Sequence, residues 1–441
     1  MEIVIQITQF ILSLSLLIIL HEMGHMLPAK YFKTKVEKFY LFFDAGFSLF
    51  KIKKGETEYG IGWIPLGGYV KISGMIDESM DKEQMKEPAK PWEFRSKPAW
   101  QRLIIMIGGV TVNVISGILI YIMIAGVWGT DTLMPKDVSK DGYAVSPYFK
   151  KYGLKDHDIV LEIDGVKISD ARSRNINRHL MVRGVNEIKV LHANGNTELI
   201  SFPENLEYEI LEEGNPFSEW SFPVVADFPS SLDNAKEAGI EIGDSIIQIG
   251  DIAVQSLSDL RYYLNKEINN SVRLIVMRDG EKLTIEDVKV NSKGLIGFVS
   301  KQVQPKITHL EYGFIESIPE GLSQGYWTIH DYIAQLKFVF TKKGASSMGG
   351  FGTIGSLFPP KWNWYGFWQM TALLSMILAV MNLLPIPALD GGHVMFLIYE
   401  MFSGKPPSDK FLTGAQVVGM ALLFTLLIYA NGMDIYRWVT G

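Results

Sequence analysis

Residues His21-Glu22-Met23-Gly24-His25 form an H-E-x-x-H pattern inside an apolar run. On a helix, positions i and i+4 share a face, so both imidazoles can direct a ring nitrogen at one ion. Glu22 stands beside them, where a carboxylate can take a proton from a water that the ion has acidified. The chemistry open to such a set is metal-assisted hydrolysis. An ionisable triplet within an apolar span is costly and points to function by its position alone. The chain contains no cysteine. That excludes thiolate-ligated zinc, iron–sulfur clusters, a cysteine nucleophile and a disulfide scaffold, so any metal rests on His, Asp or Glu.

A catalytic zinc commonly has three protein ligands and one open position. A further His six residues after His25 is absent, since Tyr31 stands there. The charge-free run Leu103–Trp128 offers no carboxylate either. A later run ends in Asn382-Leu383-Leu384-Pro385-Ile386-Pro387-Ala388-Leu389-Asp390-Gly391-Gly392-His393. Pro385 and Pro387 break a helix there. Asp390 follows in a Gly-rich stretch, as the natural third ligand. His393 is the competing ligand, and a helix N-cap is the competing role for Asp390.

Four apolar runs must position these residues: Ile3–Leu20, extendable through Leu27, then Leu103–Trp128, Gly366–Pro385 and Gly414–Ala430. A bilayer core needs about 20 apolar residues in a helix, and four such runs are hard to hide in soluble cores. The first Lys or Arg is Lys30, so the first run lacks the basic start of a signal peptide and is expected to be retained. Lys30, Lys33, Lys35, Lys38, Lys90, Arg95, Lys97 and Arg102 flank the segment between the first two runs. The positive-inside rule places that segment in the cytoplasm, with both termini and the long segment 129–360 outside. Within 47–72 the pattern reads strand, Lys54-Gly55 turn, strand and Gly-rich return. Its apolar residues Phe47, Leu49, Ile52, Ile61 and Trp63 are unusual for a cytoplasmic loop. A hairpin that re-enters the membrane and offers a strand edge accounts for them.

The outer segment repeats itself. Gly153–Ile163 aligns with Gly239–Ile249 at an offset of 86 residues, and Asn194-Gly195 answers Asp279-Gly280. Each copy reads as a Gly turn, an apolar strand, a turn, a helix and a strand pair. The G-[LI]-x-x-x-D-x-I pattern resembles bacterial PDZ domains, which bind peptides by strand addition. Ile315, Ile318, Leu322, Tyr326, Ile329, Ile333, Leu336 and Phe340 recur at helical spacing. They predict an amphipathic helix lying on the membrane. Trp362, Trp364 and Trp368 read as an interfacial belt.

With these motifs together, the chain resembles the site-2 protease family, in the bacterial regulator-of-sigma-E protease branch with tandem PDZ domains. The H-E-x-x-H matches at His21, Glu22 and His25. The N-x-x-P-x-P-x-L-D-G-G signature matches at Asn382, Pro385, Pro387, Leu389, Asp390, Gly391 and Gly392. The run Pro65-Leu66-Gly67-Gly68-Tyr69-Val70-Lys71 is intact, and Phe94, Lys97, Pro98, Trp100 and Arg102 match the entry to the second span. The resemblance implies that His21, His25 and Asp390 hold Zn2+ and that Glu22 is the general base. It further implies substrate contacts at Asn382, Pro385 and Pro387, with Gly67 and Gly68 beside the substrate strand. Two departures stand out: Gly109-Val110-Thr111-Val112-Asn113 where the family often has G-P-x-x-N, and Gly349-Gly350-Phe351-Gly352-Thr353-Ile354 where it often has G-G-P-V-G-I.

The expected fold is a polytopic α-helical membrane protein of about four transmembrane helices, with a membrane re-entrant β-hairpin and two tandem PDZ-like α/β domains outside the membrane. Transmembrane helices are expected at 1–28, 101–128, 361–402 and 413–433, and the cytoplasmic loop at 29–100 with its hairpin at about 47–72. PDZ-like domains are expected at 129–215 and 216–305, and a juxtamembrane helix and loop at 306–360. The expected activity is zinc-dependent hydrolysis of transmembrane segments of single-pass membrane proteins in the bacterial inner membrane. An anti-sigma factor after a first ectodomain cut is the substrate that the resemblance implies. Clearance of remnant signal peptides is a second enzymatic reading, and a non-proteolytic PDZ scaffold or transporter is a reading of another class. The outer domains would exclude bulky substrates or dock a new chain end. The formal net charge of −6 argues against nucleic acid as a partner. The lipid bilayer is the expected surrounding.

Overall fold

In a computed structural model of the protein, the described residues are 1–65, 67–75, 88–138, 141–229, 232–302 and 305–440. Leu66 of the Pro-Leu-Gly-Gly motif and residues 76–87 of the expected cytoplasmic loop lie outside them. The chain forms two compact units, 1–129 with 311–440, and 130–310.

The first unit opens with helix α1 (Glu2–Tyr31). It continues past Leu27, and Pro28 sits inside its last turns. Its burial is inverted relative to a soluble helix. Gln9, Ser13, Gly24 and His25 face inward, while Ile3, Val4, Ile7 and Leu12 are exposed. Small and polar residues at helix contacts, with apolar residues outward, is the pattern of a helix surrounded by lipid. Four strands follow: β1 (Val36–Leu41), β2 (Phe50–Lys54), β3 (Thr57–Ile61) and β4 (Tyr69–Ile72). They form one sheet in the order β2-β3-β1-β4. The β2–β3 hairpin is closed by Lys54 opposite Thr57, with Gly55 at φ +65°. The expected hairpin is therefore half of a four-stranded sheet. The lysines of β1 mask its strand pattern in the sequence, although Val36 and Tyr40 both turn into the core. The sheet leaves Phe47, Leu49, Phe50, Ile52 and Trp63 exposed beside it. Helix α2 (Ala99–Trp128) then crosses α1 at bare backbone. A Cβ on Gly24 would lie 2.4 Å from the Gly108 carbonyl oxygen.

The second unit holds the repeat. β5 (Thr130–Thr132) pairs with β18 (Thr308–Leu310) where the chain enters and leaves. The first copy comprises β6 (Tyr143–Val145), β7 (Ile159–Ile163), β8 (Val166–Lys167), α3 (Ser173–Val182), β9 (Glu187–Leu191), β10 (Thr197–Ser201) and β11 (Phe217–Glu219). The second comprises β12 (Ser221–Asp227), β13 (Ser245–Ile249), β14 (Ile252–Ala253), α4 (Leu257–Leu264), β15 (Ser271–Arg278), β16 (Glu281–Lys289) and β17 (Val299–Gln302). Each copy has its own core, with Val160, Ile163, Ile188 and Val190 in one and Ile246, Ile249, Leu274 and Val276 in the other. Both copies carry a β-bulge at the same repeat position, between Val160 and Glu162 and between Ile246 and Gln248. Both also bury one aspartate at the strand entrance. Asp158 accepts from the Lys155 backbone N–H at 2.8 Å and pairs with His192. Asp244 accepts from Glu241 N–H at 2.9 Å and pairs with Arg278.

The chain returns to the first unit through α5 (Phe314–Gln335), α6 (Phe351–Ser356), α7 (Trp364–Leu383), α8 (Asp390–Ser403) and α9 (Asp409–Thr440). Helix α5 is the expected amphipathic helix, and its apolar residues Phe314, Ile315, Leu322 and Tyr326 are exposed. It packs through its other face. Ser317, Gly321 and Gly325 lie against Gly126, Ile122 and Ile118 of α2. This small-x-x-x-small contact runs antiparallel to a membrane-length helix. The expected third span is two helices. α7 stops at Leu383, the residue before Pro385 being held extended, and α8 begins at Asp390. Among the described residues, α1, α2, α7 and α9 are long and apolar enough to cross a membrane.

Candidate metal centre and the cavity around it

Two turns of α1 place His21 and His25 on one face, and the turn after α7 brings Asp390 to them. Ala388, two residues before Asp390, has φ +91°. A non-glycine residue held there costs about 1–3 kcal/mol and persists only where its surroundings impose it. His21 Nε2 lies 3.2 Å from His25 Nε2 and 3.2 Å from Asp390 Oδ2, and His25 Nε2 lies 3.3 Å from the same oxygen. A tetrahedral zinc with bonds of roughly 2.0–2.1 Å sets its ligands about 3.3 Å apart. The three atoms therefore fit three corners of such a site. Asp390 Oδ2 is also buried without a hydrogen-bond partner, which is the condition of a ligand atom rather than a cap. The N-cap of α8 is Leu389, so Asp390 does not serve that role.

The remaining ring nitrogens are held from α2. His25 Nδ1 donates to the Ile105 carbonyl at 2.9 Å, which leaves its Nε2 lone pair free for a cation. His21 Nδ1 faces the Asn113 amide at 3.1 Å. Such outer partners fix the tautomer and ring angle of metal-binding histidines.

The trio opens on a cavity of about 790 Å³. Glu22 lines it beside the histidines, with Val70 of β4 in the same wall. Among the described residues β4 pairs with β1 alone, and Gly67 through Ile72 stand in the cavity wall. Gly68 must lack a side chain. A Cβ there would lie 2.4 Å from Ile18 Cγ2 and 3.6 Å from Glu22 Cγ. Asn382, at the end of α7, holds its amide nitrogen 3.4 Å from His21 Nε2. His393 lines the same cavity but stands outside the convergent trio. Pro385 and Pro387 shape the α7–α8 turn and are not in the cavity wall.

Two parts of the site were not anticipated. Phe351 enters the cavity wall from the Gly-rich segment that departs from the family pattern. That segment is fastened to α9. Asp434 accepts from the backbone N–H groups of Gly350 and Thr353 at 3.0 and 2.9 Å, and Arg437 holds the same carboxylate. The available signal was an aspartate and an arginine three residues apart at the end of an apolar helix. The second is Asn113, which stood in the sequence only as a motif letter.

A model of peptidase family M50 matches residues 9–426 of the chain. The chain is 27% identical to the regulator of sigma E protease of Haemophilus influenzae, over 97% of this chain and 98% of that protein. It is 25% identical to a Vibrio cholerae protein provisionally named a zinc metalloprotease, over 97% and 98% of the two chains. A Borreliella burgdorferi protein of the same provisional name is 26% identical over 96% of each chain.

Proposed function

The chain belongs to peptidase family M50 and is a metalloprotease, and on that premise we propose that it is a zinc-dependent endopeptidase that cuts substrates within the membrane. The observation that carries this reading is the 3.2–3.3 Å triangle of His21, His25 and Asp390, with Glu22 beside it; the histidines and Glu22 stand on α1, a helix of membrane length, and Asp390 follows α7, another. His21, His25 and Asp390 would hold zinc, which when bound lowers the pKa of a water and polarises a carbonyl. Glu22 takes the proton of the attacking water and passes it to the leaving nitrogen.

A membrane-spanning substrate satisfies its own backbone hydrogen bonds, so it must unwind before it is cut. The cavity-lining edge of β4 is suited to receive the unwound strand, and Gly67 and Gly68 let a second backbone approach. The Asn382 amide, at the lip of the trio, would hold a freed carbonyl of that strand. The substrates proposed are transmembrane segments of single-pass proteins, anti-sigma factors among them; the Haemophilus influenzae relative is named a regulator of sigma E protease. The proposed setting is a bacterial inner membrane. Residues 29–100 are cytoplasmic or re-entrant, and both termini and the PDZ-like repeat are on the other side. The lysines and arginines around 30–38 and 90–102 support this orientation.

The test is metal and cleavage analysis on one preparation. The parent protein is expected to hold about one zinc per chain and to cut a single-pass substrate. Glu22→Gln is expected to keep the zinc and lose about 10²–10⁴-fold in rate. A Glu22→Gln protein with parental turnover would remove Glu22 from the chemistry.

A further inference from the structure

We infer that Asn113 is a positioning residue that sets the tautomer of His21, and that one face of α2 is shaped as the outer support of both histidines. The inference rests on the metal reading above. Positions 105, 109 and 113 recur at i, i+4 and i+8, so they share one face of α2. Each meets the histidines differently. Ile105 offers its carbonyl to His25 Nδ1. Gly109 offers space, since a Cβ there would lie 2.3 Å from His25 Nε2 and 2.6 Å from His21 Cε1. Asn113 offers its amide to His21 Nδ1.

The Asn113 side chain is fully buried, in a helix interface where an amide needs a reason. Its backbone carbonyl accepts from Ser375 Oγ at 2.7 Å, which anchors this turn of α2 to α7. Its side-chain oxygen has no hydrogen-bond partner. A neutral imidazole carries one N–H. When Nε2 is given to a cation, that proton is on Nδ1, and Nδ1 then needs an acceptor. A half-turn of the amide brings the unpartnered Oδ1 to Nδ1–H at the same distance. An apolar residue of equal size fills the space but accepts nothing. An aspartate accepts, and so preserves the role.

The experiment is zinc affinity of the full-length protein in detergent, by competition with a chromophoric chelator, for the parent, Asn113→Leu and Asn113→Asp. Asn113→Leu is expected to bind zinc about 10–100-fold more weakly, the usual cost of losing such a partner. Asn113→Asp is expected to stay within about threefold of the parent, and its cobalt-substituted visible spectrum is expected to match the parent's. Parental affinity in Asn113→Leu would overturn the inference. So would a loss in Asn113→Asp as large as that in Asn113→Leu, because then only the interface would matter. If Asn113→Leu does not yield folded protein, Asn113→Asp alone decides, by keeping or losing the zinc. A parent protein that binds no zinc would instead overturn the metal reading.

Discussion

At the residue scale, the centre is decided by which atoms converge. His21 and His25 were legible because helical spacing alone puts them on one face. Asp390 was legible as the natural third ligand, with His393 as its competitor. Neither the proline break nor the glycines say whether Asp390 or His393 turns inward. The structure separates them, with Asp390 Oδ2 within 3.3 Å of both imidazoles and His393 elsewhere in the cavity wall. Asp390→Asn is therefore expected to lose bound zinc, since an amide is a poor ligand, while His393→Ala keeps about one zinc per chain. Metal analysis of the two purified variants checks this, and the reverse result would reassign the ligand. Asn113 was not legible, because a buried amide between two helices reads equally as interhelix packing.

At the element scale, the repeat shows how far spacing carries. The strand, helix and hairpin order of both copies was readable from Gly153, Gly239 and the two hairpin turns. The pairing of the buried aspartates was not, because the partner lies on a distant strand. Burial alone would push the Asp244 carboxyl up, but the Arg278 guanidinium and the Glu241 N–H hold it below the usual carboxylate range. A depressed folded-state value means stabilisation that is present above the unfolded pKa of about 3.9 and lost as pH falls through the folded value. The His192 imidazole, hydrogen-bonded to Asp158, is raised despite its burial. Its contribution is complete below about pH 6.5 and lost as pH rises through the raised value. Hydrogen exchange on the intact protein is expected to show the second copy loosening below about pH 4 and the first loosening on the alkaline side. Arg278→Met leaves a buried carboxylate unpaired. It is expected to cost about 3 kcal/mol, with faster exchange confined to the second copy. Uniform exchange across both copies would contradict the assignment. Helix α5 teaches the complementary lesson. Its apolar periodicity was plain, yet the face that packs is the one of Ser317, Gly321 and Gly325. Apolar periodicity does not identify the contact face where the surroundings are themselves apolar.

At the scale of the whole molecule, the two sources of the site are far apart in sequence. α1 and the β1–β4 sheet supply the histidines, Glu22 and the strand edge. α7 and α8 supply Asn382 and Asp390, while α9 holds Phe351 in place through Asp434. The absence of cysteine makes depth measurable, since single cysteines can be introduced at positions 60–68 on a clean background. Those positions are expected to resist water-soluble maleimides in intact membranes, and rapid labelling would rule out a re-entrant hairpin. In the function proposed, His21, Glu22, His25 and Asp390 cut peptide bonds inside the bilayer. Mass-spectrometric mapping of the scissile bond tests it most directly, using a single-pass substrate and the parent or Glu22→Gln protein reconstituted in liposomes. One cut within the apolar span is expected, made by the parent and absent with Glu22→Gln. Cleavage only outside the span, or equal cleavage by Glu22→Gln, would contradict it.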